Sequence, residues 1–238
     1  MSEWKAKRFW KEAAPIESDN GYEIHLDGRP VKTPAKAALV VPVRTLAEEI
    51  AAEWNAQPEQ IDPLSMPFTR SANAALDKVA RQHGEVADLL AAYGDSDMTC
   101  YRADAPETLV TRQAEAWDPV LDWAREAHGI VLEPVIGVMH RPQDEAALRR
   151  IRDITHAMTA FELTAFHDLV GLSGSFLLGL AAHDDFEPAE TIWSRSTVDE
   201  TWQQEQWGLD EEAAEMAAAK RAGFLHAARL AEILRSNR

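Results

Sequence analysis

Apolar and polar residues alternate with two different periods along the chain. Residues 22–26 alternate with a period of two, which predicts a strand, and the Asp27-Gly28 pair that follows predicts the tight turn of a β-hairpin. Further on, apolar residues recur every four positions as far as Trp54 and predict a helix. Prolines then interrupt residues 58–67, so we expect a boundary between two structural units there.

A helical period dominates the rest of the chain. Further helices are predicted at residues 72–79, 85–93, 106–129, 144–158, 160–172, 173–183, 189–208 and 210–235. Thr69 or Ser71 is expected to cap the first of these, and Pro119 is expected to kink or split the third. The order of elements predicts an α+β protein, in which a small β-rich unit with one helix, residues 1–66, precedes a larger and mainly helical part, residues 67–238.

The predicted helix at residues 189–208 mixes polar and apolar residues in an unusual way. At about 100° per residue, one stripe of this helix carries Ala189, Ile192, Trp193, Ser196, Glu200, Gln203 and Trp207. A carboxylate in an apolar stripe is costly unless it is paired or faces a site open to a partner. Glu200 is therefore either bound to an internal cation or helix N-terminus, or part of a binding site. Val198 and Trp202 form a second apolar edge, which suits a helix inside a bundle or one facing a partner.

Composition and charge restrict the possible partners. The 238 residues are 46% apolar and 27% charged, which is ordinary for a globular protein. Forty acidic and 24 basic residues give a formal net charge of −16, which argues against nucleic acid and anionic membranes as partners. Cys100 is the single cysteine, which fits a reducing compartment. The first residues do not resemble a targeting leader, so we expect a cytoplasmic protein or a mature form without its targeting segment. The longest apolar run, residues 169–182, is too short to cross a bilayer.

Catalytic and cofactor motifs are hard to find in this sequence. Neither a phosphate-binding loop nor a zinc-binding H-E-x-x-H motif occurs, so no nucleotide, cofactor or metal site is expected. The stretch G-L-S-G-S at residues 171–175 superficially resembles a nucleophile elbow, which leaves a small hydrolase using Ser173 or Ser175 as an alternative. Close packing of two helices explains these small residues better. The eight tryptophans favour core packing and protein binding over catalysis.

Seven short motifs follow one another along nearly the whole chain. They are R-F-W-K at residues 8–11, L-D-G-R-P-V-K-T-P at 26–34, E-W-N-A-Q at 53–57, M-P-F-T-R at 66–70, C-Y-R at 100–102, W-D-P at 117–119 and D-E-T-W-Q-Q-E-Q-W-G at 199–208. In this order they resemble the motifs of the assembly chaperones that hold the free α subunit of the F-type ATP synthase catalytic head, called assembly factor 2 in mitochondria.

The resemblance implies a fold, a function and a set of site residues. It implies a small α+β unit followed by an orthogonal helical bundle, a non-enzymatic role, and a bacterial, cytoplasmic version of a family that works in the mitochondrial matrix of eukaryotes. The α subunit is the implied partner, bound without nucleotide and released to the β subunit. The family's functional carboxylate maps onto Glu200, with Asp199 beside it. The expected client contacts are Glu200, Asp199, Gln203, Trp202, Trp207 and Trp54, and core packing remains an alternative for Trp54 and Trp207. A constitutive synthase subunit is a further alternative.

Overall fold

A four-stranded sheet forms the first part of the chain, of which the computed structural model describes residues 7–208 and 210–236. Its strands are β1 (Ala13–Ser18), β2 (Gly21–Leu26), β3 (Arg29–Pro30) and β4 (Val40–Val41). Strand β2 is central, with β1 antiparallel along one edge and β3 and β4 antiparallel along the other. Asp27 and Gly28 have φ angles of 46° and 79°, so the predicted turn links β2 to β3 with both central residues left-handed.

The helix α1 (Arg44–Asn55) covers this sheet through the apolar stripe that predicted it. A single turn of 3₁₀-helix (Pro63–Ser65) then leads into α2 (Pro67–Ala74). The prediction that Thr69 or Ser71 caps this helix is wrong, because α2 already begins at Pro67. Its N-terminal N–H groups are instead bound by Glu53, whose carboxylate accepts from Phe68 N at 2.6 Å and from Thr69 N at 2.8 Å.

Helices build the rest of the described chain. They are α3 (His83–Ala91), α4 (Glu107–His128), α5 (Glu145–Ala157), α6 (Ala160–Ser173), α7 (Phe176–His183), α8 (Ala189–Ser196), α9 (Val198–Trp207) and α10 (Glu211–Arg235). Residues Ala75–Val79 form a π-helical turn directly after α2. The short strands β5 (Tyr101–Arg102) and β6 (Val135–Ile136) pair in parallel. Pro119 lies inside α4 without splitting it.

The centre of the helical part is the pair α6 and α7. Helix α6 packs against α10, α7 and α3, and both α6 and α7 are apolar on most sides. Gly179 permits their close approach, since a Cβ atom there would lie 2.6 Å from Val170 Cγ2. The first turn of α7 is fixed by the buried Asp97, whose carboxylate accepts from Ser175 Oγ at 2.7 Å and from Leu177 N at 3.0 Å.

Contacts across the predicted boundary between residues 66 and 67 join the N-terminal part of the chain to the helical part. Helix α1 packs against α2 and α10, and Thr33 Oγ1 donates to Asp77 Oδ1 at 2.7 Å. The architecture is α+β, as predicted, with the sheet at the N-terminal end and the larger helical part after it. The division into two domains stays a prediction. Within residues 7–208 and 210–236, no helix has both the length and the apolar character needed to cross a membrane.

Candidate functional site

The predicted helix at residues 189–208 is in fact two helices, α8 and α9, separated at Thr197. Thr197 has φ −115° and ψ 23°, and its hydroxyl and that of Ser196 donate to carbonyl oxygens of Trp193 and Ser194. Such local side-chain bonds compete with the backbone bonds of a helix. Because the helix is interrupted here, the spacing of 100° per residue does not continue from α8 into α9, and the predicted stripe ends at Ser196.

The consequence is that the second half of the predicted stripe faces solvent. Ile192, Trp193 and Ser196 on α8 are buried, whereas Glu200 and Gln203 on α9 are exposed. The carboxylate of Glu200 has no ion pair or hydrogen bond among the described residues. Of the two alternatives for Glu200, an internal cation is therefore not found in the described part of the chain, and a role in a binding site stays a prediction.

A buried glutamine of α4 fixes the start of α9. Gln113 is 3% exposed, and its Nε2 donates to Asp199 Oδ1 at 2.7 Å. Its Oε1 accepts from Ala103 N at 2.8 Å, which connects α9 to the residue after β5. The amide thus satisfies a backbone donor and a half-buried carboxylate at once. Asp199 also lies in the first turn of α9, where the helix dipole favours negative charge.

An ion pair holds the other end of α9 against the same helix. Arg112 Nη2 lies 2.7 Å from Glu205 Oε2, and this hydrogen bond lowers the pKa of Glu205. Both side chains are open to water, which screens the pair, so its contribution to the free energy of unfolding is small. Gln113 and Arg112 together give α9 a defined position on α4 while most of its surface stays open.

Residues of two motifs, C-Y-R and W-D-P, meet the end of α8 next to this contact. Arg102 Nη2 lies 2.8 Å from Asp118 Oδ1. The guanidinium carbon of Arg102 lies 5.2 Å from the centre of the Trp117 ring. Trp117 Nε1 donates to the carbonyl of Arg195 at 2.8 Å. The side chain of Arg195 is held in turn by both carboxylate oxygens of Glu187 at 2.7 Å. These contacts bind α4 to the end of α8, and so place α9.

Five of the six predicted contact residues lie on α9, and the sixth lies elsewhere. The "α9 surface" consists of Asp199, Glu200, Trp202, Gln203 and Trp207. Trp202 is half-buried and meets the Trp207 ring edge to face at 5.9 Å, and Trp207 is 76% exposed. Trp54 is half-buried on α1, where it packs against Trp10 at 5.1 Å between ring centres. The structure therefore gives Trp54 a packing contact on a helix that covers the sheet.

Sequence reasoning did not single out Gln113. The signal was present, because Gln113 lies on the apolar stripe of α4 that also carries Trp117 and Leu121, one and two turns further on. A polar residue in such a stripe needs a buried partner. That partner, Asp199, is 86 residues away, and its distance in space cannot be read from spacing.

The serines of the hydrolase alternative are buried and bonded. The Ser173 hydroxyl donates to the Leu169 carbonyl at 2.6 Å, and the Ser175 hydroxyl donates to Asp97 at 2.7 Å. Neither is open to a substrate. In the described part of the chain, no three His, Cys, Asp or Glu side chains are grouped to hold a metal ion. Burial raises the pKa of the Cys100 thiol to about 12, so this cysteine is not a reactive thiolate.

This combination of a mainly helical α+β fold and an exposed acidic, tryptophan-bearing helix defines a binding protein. Comparison with known proteins identifies its kind. The family model described as ATP12 chaperone protein matches residues 7–125. The chain belongs to this family of ATP12 chaperone proteins, as its motifs suggested.

Relatives with solved structures share the whole fold. Atp12 from Paracoccus denitrificans is 45% identical, with a TM-score of 0.94 over 97% of this chain and 99% of that one. The Atu1473 protein from Agrobacterium tumefaciens is 40% identical, with a TM-score of 0.90 over 96% of this chain and 86% of that one. The mitochondrial protein atp12 from Schizosaccharomyces pombe is 26% identical over 88% of this chain and 76% of its own length.

Proposed function

We propose that this chain binds the free α subunit of the F-type ATP synthase catalytic head, keeps it from aggregating and releases it to the β subunit. The observation that carries the proposal is the α9 surface, because residues 198–207 form a helix with no buried side chain yet with a fixed position. Membership of the ATP12 chaperone family and the order of the seven motifs support the α subunit as the client.

The chemistry of the α9 surface suits a protein client. An unassembled subunit exposes apolar surface that its neighbours later cover, and such surface aggregates. Trp202 and Trp207 supply large rings to cover it, and tryptophan is enriched where interfaces derive most of their affinity. Glu200 and its acidic neighbours pair with basic groups of the client, which sets the register and makes the contact sensitive to salt.

Release requires no bond to be made or broken. The β subunit displaces the chaperone when it competes for the same face of the α subunit, so no ATP cycle and no enzymatic step are needed. The buried state of Ser173 and Ser175 supports this non-enzymatic role over a hydrolase. We place the protein in the bacterial cytoplasm, and the similarity to proteins of two bacteria supports this location.

Capture of the free α subunit tests the proposal. We expect the wild-type chain to co-purify with it and Glu200→Ala to capture several-fold less, because the carboxylate is exposed and free of internal contacts. Glu126→Ala is the matched control, since Glu126 is an exposed acid about 20 Å further along α4 from Gln113. Equal capture by the two variants, with both folded, would remove Glu200 from the mechanism.

A second measurement separates the chaperone from a constitutive subunit. A chaperone is absent from the finished synthase, whereas a subunit remains there in stoichiometric amounts. We expect the purified, assembled synthase to lack this chain, and quantitative mass spectrometry of that complex checks it.

A further inference from the structure

A large open groove lies between the first and last helices of the helical part, on elements other than α4 and α9. One wall is α2 with the π-helical turn Ala75–Val79, and the other is formed by α6 and α10. Its volume is about 1040 Å³, which is enough for a peptide segment of several residues. Leu64, which is 77% exposed, lies at its rim.

Polar side chains that are held by neighbouring groups lie among the apolar residues that line the groove. His226 Nε2 lies 3.0 Å from Ser71 Oγ, and the His226 ring packs edge to face on Phe68 at 4.6 Å. Burial lowers the pKa of His226, so the ring is neutral near pH 7. Asn73 also lines the groove, and its Oδ1 is shielded from solvent with no donor among the described residues. A buried acceptor of this kind is usually satisfied by a partner.

A π-helical turn shapes one wall. Ala80 N donates to the Ala75 carbonyl at 2.9 Å, five residues back, which widens the helix locally. Asp77 in this turn is held from outside, because it accepts from Thr33 Oγ1 at 2.7 Å and from Ala35 N at 2.9 Å. The N-terminal unit thus stabilises the turn. Such turns are frequent at functional sites.

The described groove lining carries two cations and two acids, and only the cations are without a partner among the described residues. Arg70 and Lys78 line it, and their charged groups have no ion pair or hydrogen bond within residues 7–208 and 210–236. The two acids of the lining are already engaged, Asp168 with His167 at 3.0 Å and Asp77 with Thr33. Arg70 and Lys78 are thus the charged groups of the lining that remain open to a carboxylate.

Arg70 also differs from the rest of its own motif, M-P-F-T-R. Met66 is buried, Pro67 begins α2, Phe68 packs on His226, and Thr69 binds Glu53. Each of these four residues has a structural contact. The guanidinium of Arg70 is exposed and has no hydrogen bond or ion pair among the described residues, so it is open to a partner.

We propose that this groove binds a short acidic segment of the client polypeptide. A carboxylate of that segment pairs with Arg70 and Lys78, and its apolar side chains lie against Val79 and Val86. This inference rests on the proposed function, since the occupant is part of the α subunit. It adds a second contact of opposite charge to the acidic α9 surface, so the chaperone recognises both basic and acidic parts of one client.

Filling the groove is the first test. Ala222 is exposed and lines the groove, whereas Ala218 is exposed on the same helix outside the lining. We expect Ala222→Trp to weaken binding of the free α subunit by about tenfold or more and Ala218→Trp to change it less than about twofold. Equal binding by both variants would overturn the groove proposal.

Reversing its charge is the second test. The double variant Arg70→Glu, Lys78→Glu should lose binding, and Arg141→Glu, Arg152→Glu should not, although both pairs are exposed and change the net charge equally.

Hydrogen exchange of the wild-type chain tests the groove without any substitution. The amides of residues 73–80 should exchange more slowly when the α subunit is bound. Absent protection would contradict the proposal. A wild-type chain that captures no α subunit would instead refute the proposed function itself.

Discussion

Two histidines that line the groove have pKa values shifted in opposite directions. Burial lowers the pKa of His226 from its ordinary value of 6.5, and the nearby Arg70 lowers it further, while Asp168 opposes them. The hydrogen bond to Asp168 raises the pKa of His167 above the same value, against its partial burial. Folding therefore makes His226 harder to protonate and His167 easier to protonate.

These shifts give opposite contributions to the pH dependence of stability. Below about pH 6.5 the unfolded chain protonates His226 more readily than the folded one, so stability is lost as the pH falls from 6.5 towards the lowered pKa. The contribution of His167 is complete below 6.5 and is lost as the pH rises through its raised pKa.

Single substitutions should separate the two contributions. We expect His226→Asn to reduce the loss of unfolding free energy between about pH 8 and about pH 5, and His167→Asn to increase it. Urea unfolding at both pH values measures the difference, and each variant is the control for the other. A change of the same sign in both variants would contradict this assignment.

At the scale of elements, the sequence predicted most helices and the sheet but missed how they end. The period of four before Trp54 identified α1, and Asp27-Gly28 identified the turn after β2, because both signals are local. The start of α2 depends on Glu53, which comes from the preceding helix. A cap supplied from another element leaves no signal in the residues next to the helix end.

The candidate site shows more clearly which features local sequence patterns do not predict. Periodicity placed Glu200 on a stripe with Ile192, but Thr197 interrupts the helix and brings Glu200 to the surface. The motif resemblance identified the residues of the α9 surface, whereas Gln113, which positions them, was missed. The helix break at Thr197 and the contact between Gln113 and Asp199 both depend on tertiary packing. Tertiary packing cannot be read from the spacing of residues in the sequence.

The position of α9 should depend on Gln113 more than on the nearby ion pair. Gln113→Leu removes two hydrogen bonds and leaves Ala103 N–H and Asp199 without their partner, which costs about 1–3 kcal/mol of unfolding free energy. Arg112→Ala removes an exposed, solvent-screened ion pair and should lower the unfolding free energy less than Gln113→Leu does. We expect amides of residues 198–207 to exchange faster in the Gln113 variant than in the Arg112 variant.

Denaturant unfolding measures the loss of unfolding free energy, and hydrogen exchange independently measures how readily α9 opens. Both variants leave every residue of the α9 surface in place, so a loss of α-subunit binding in Gln113→Leu alone would report the position of α9. Unchanged exchange of α9 in that variant would mean that other contacts hold the helix.

At the scale of the whole molecule, charge is the dominant feature. A net charge of −16 on 238 residues produces a negative field that extends about one Debye length, roughly 10 Å at 0.1 M salt. Such a field accelerates encounter with a basic surface and slows encounter with an acidic one. The exposed Glu200 lies within this field, whereas Arg70 and Lys78 lie in a groove whose lining is formally neutral, with Asp77 and Asp168 beside them.

The rate of client binding should therefore fall as salt rises. If the first contact is made by the acidic surface, the association rate constant with the free α subunit should drop by about tenfold between roughly 0.05 M and roughly 0.5 M NaCl. The dissociation rate constant should change less, because tryptophan contacts are not screened. Stopped-flow measurements with Glu200→Gln and Glu126→Gln separate a local effect from a global one, since both remove one charge. A rate constant that stays level or rises with salt would mean that the acidic field does not guide the encounter, and that contact begins elsewhere.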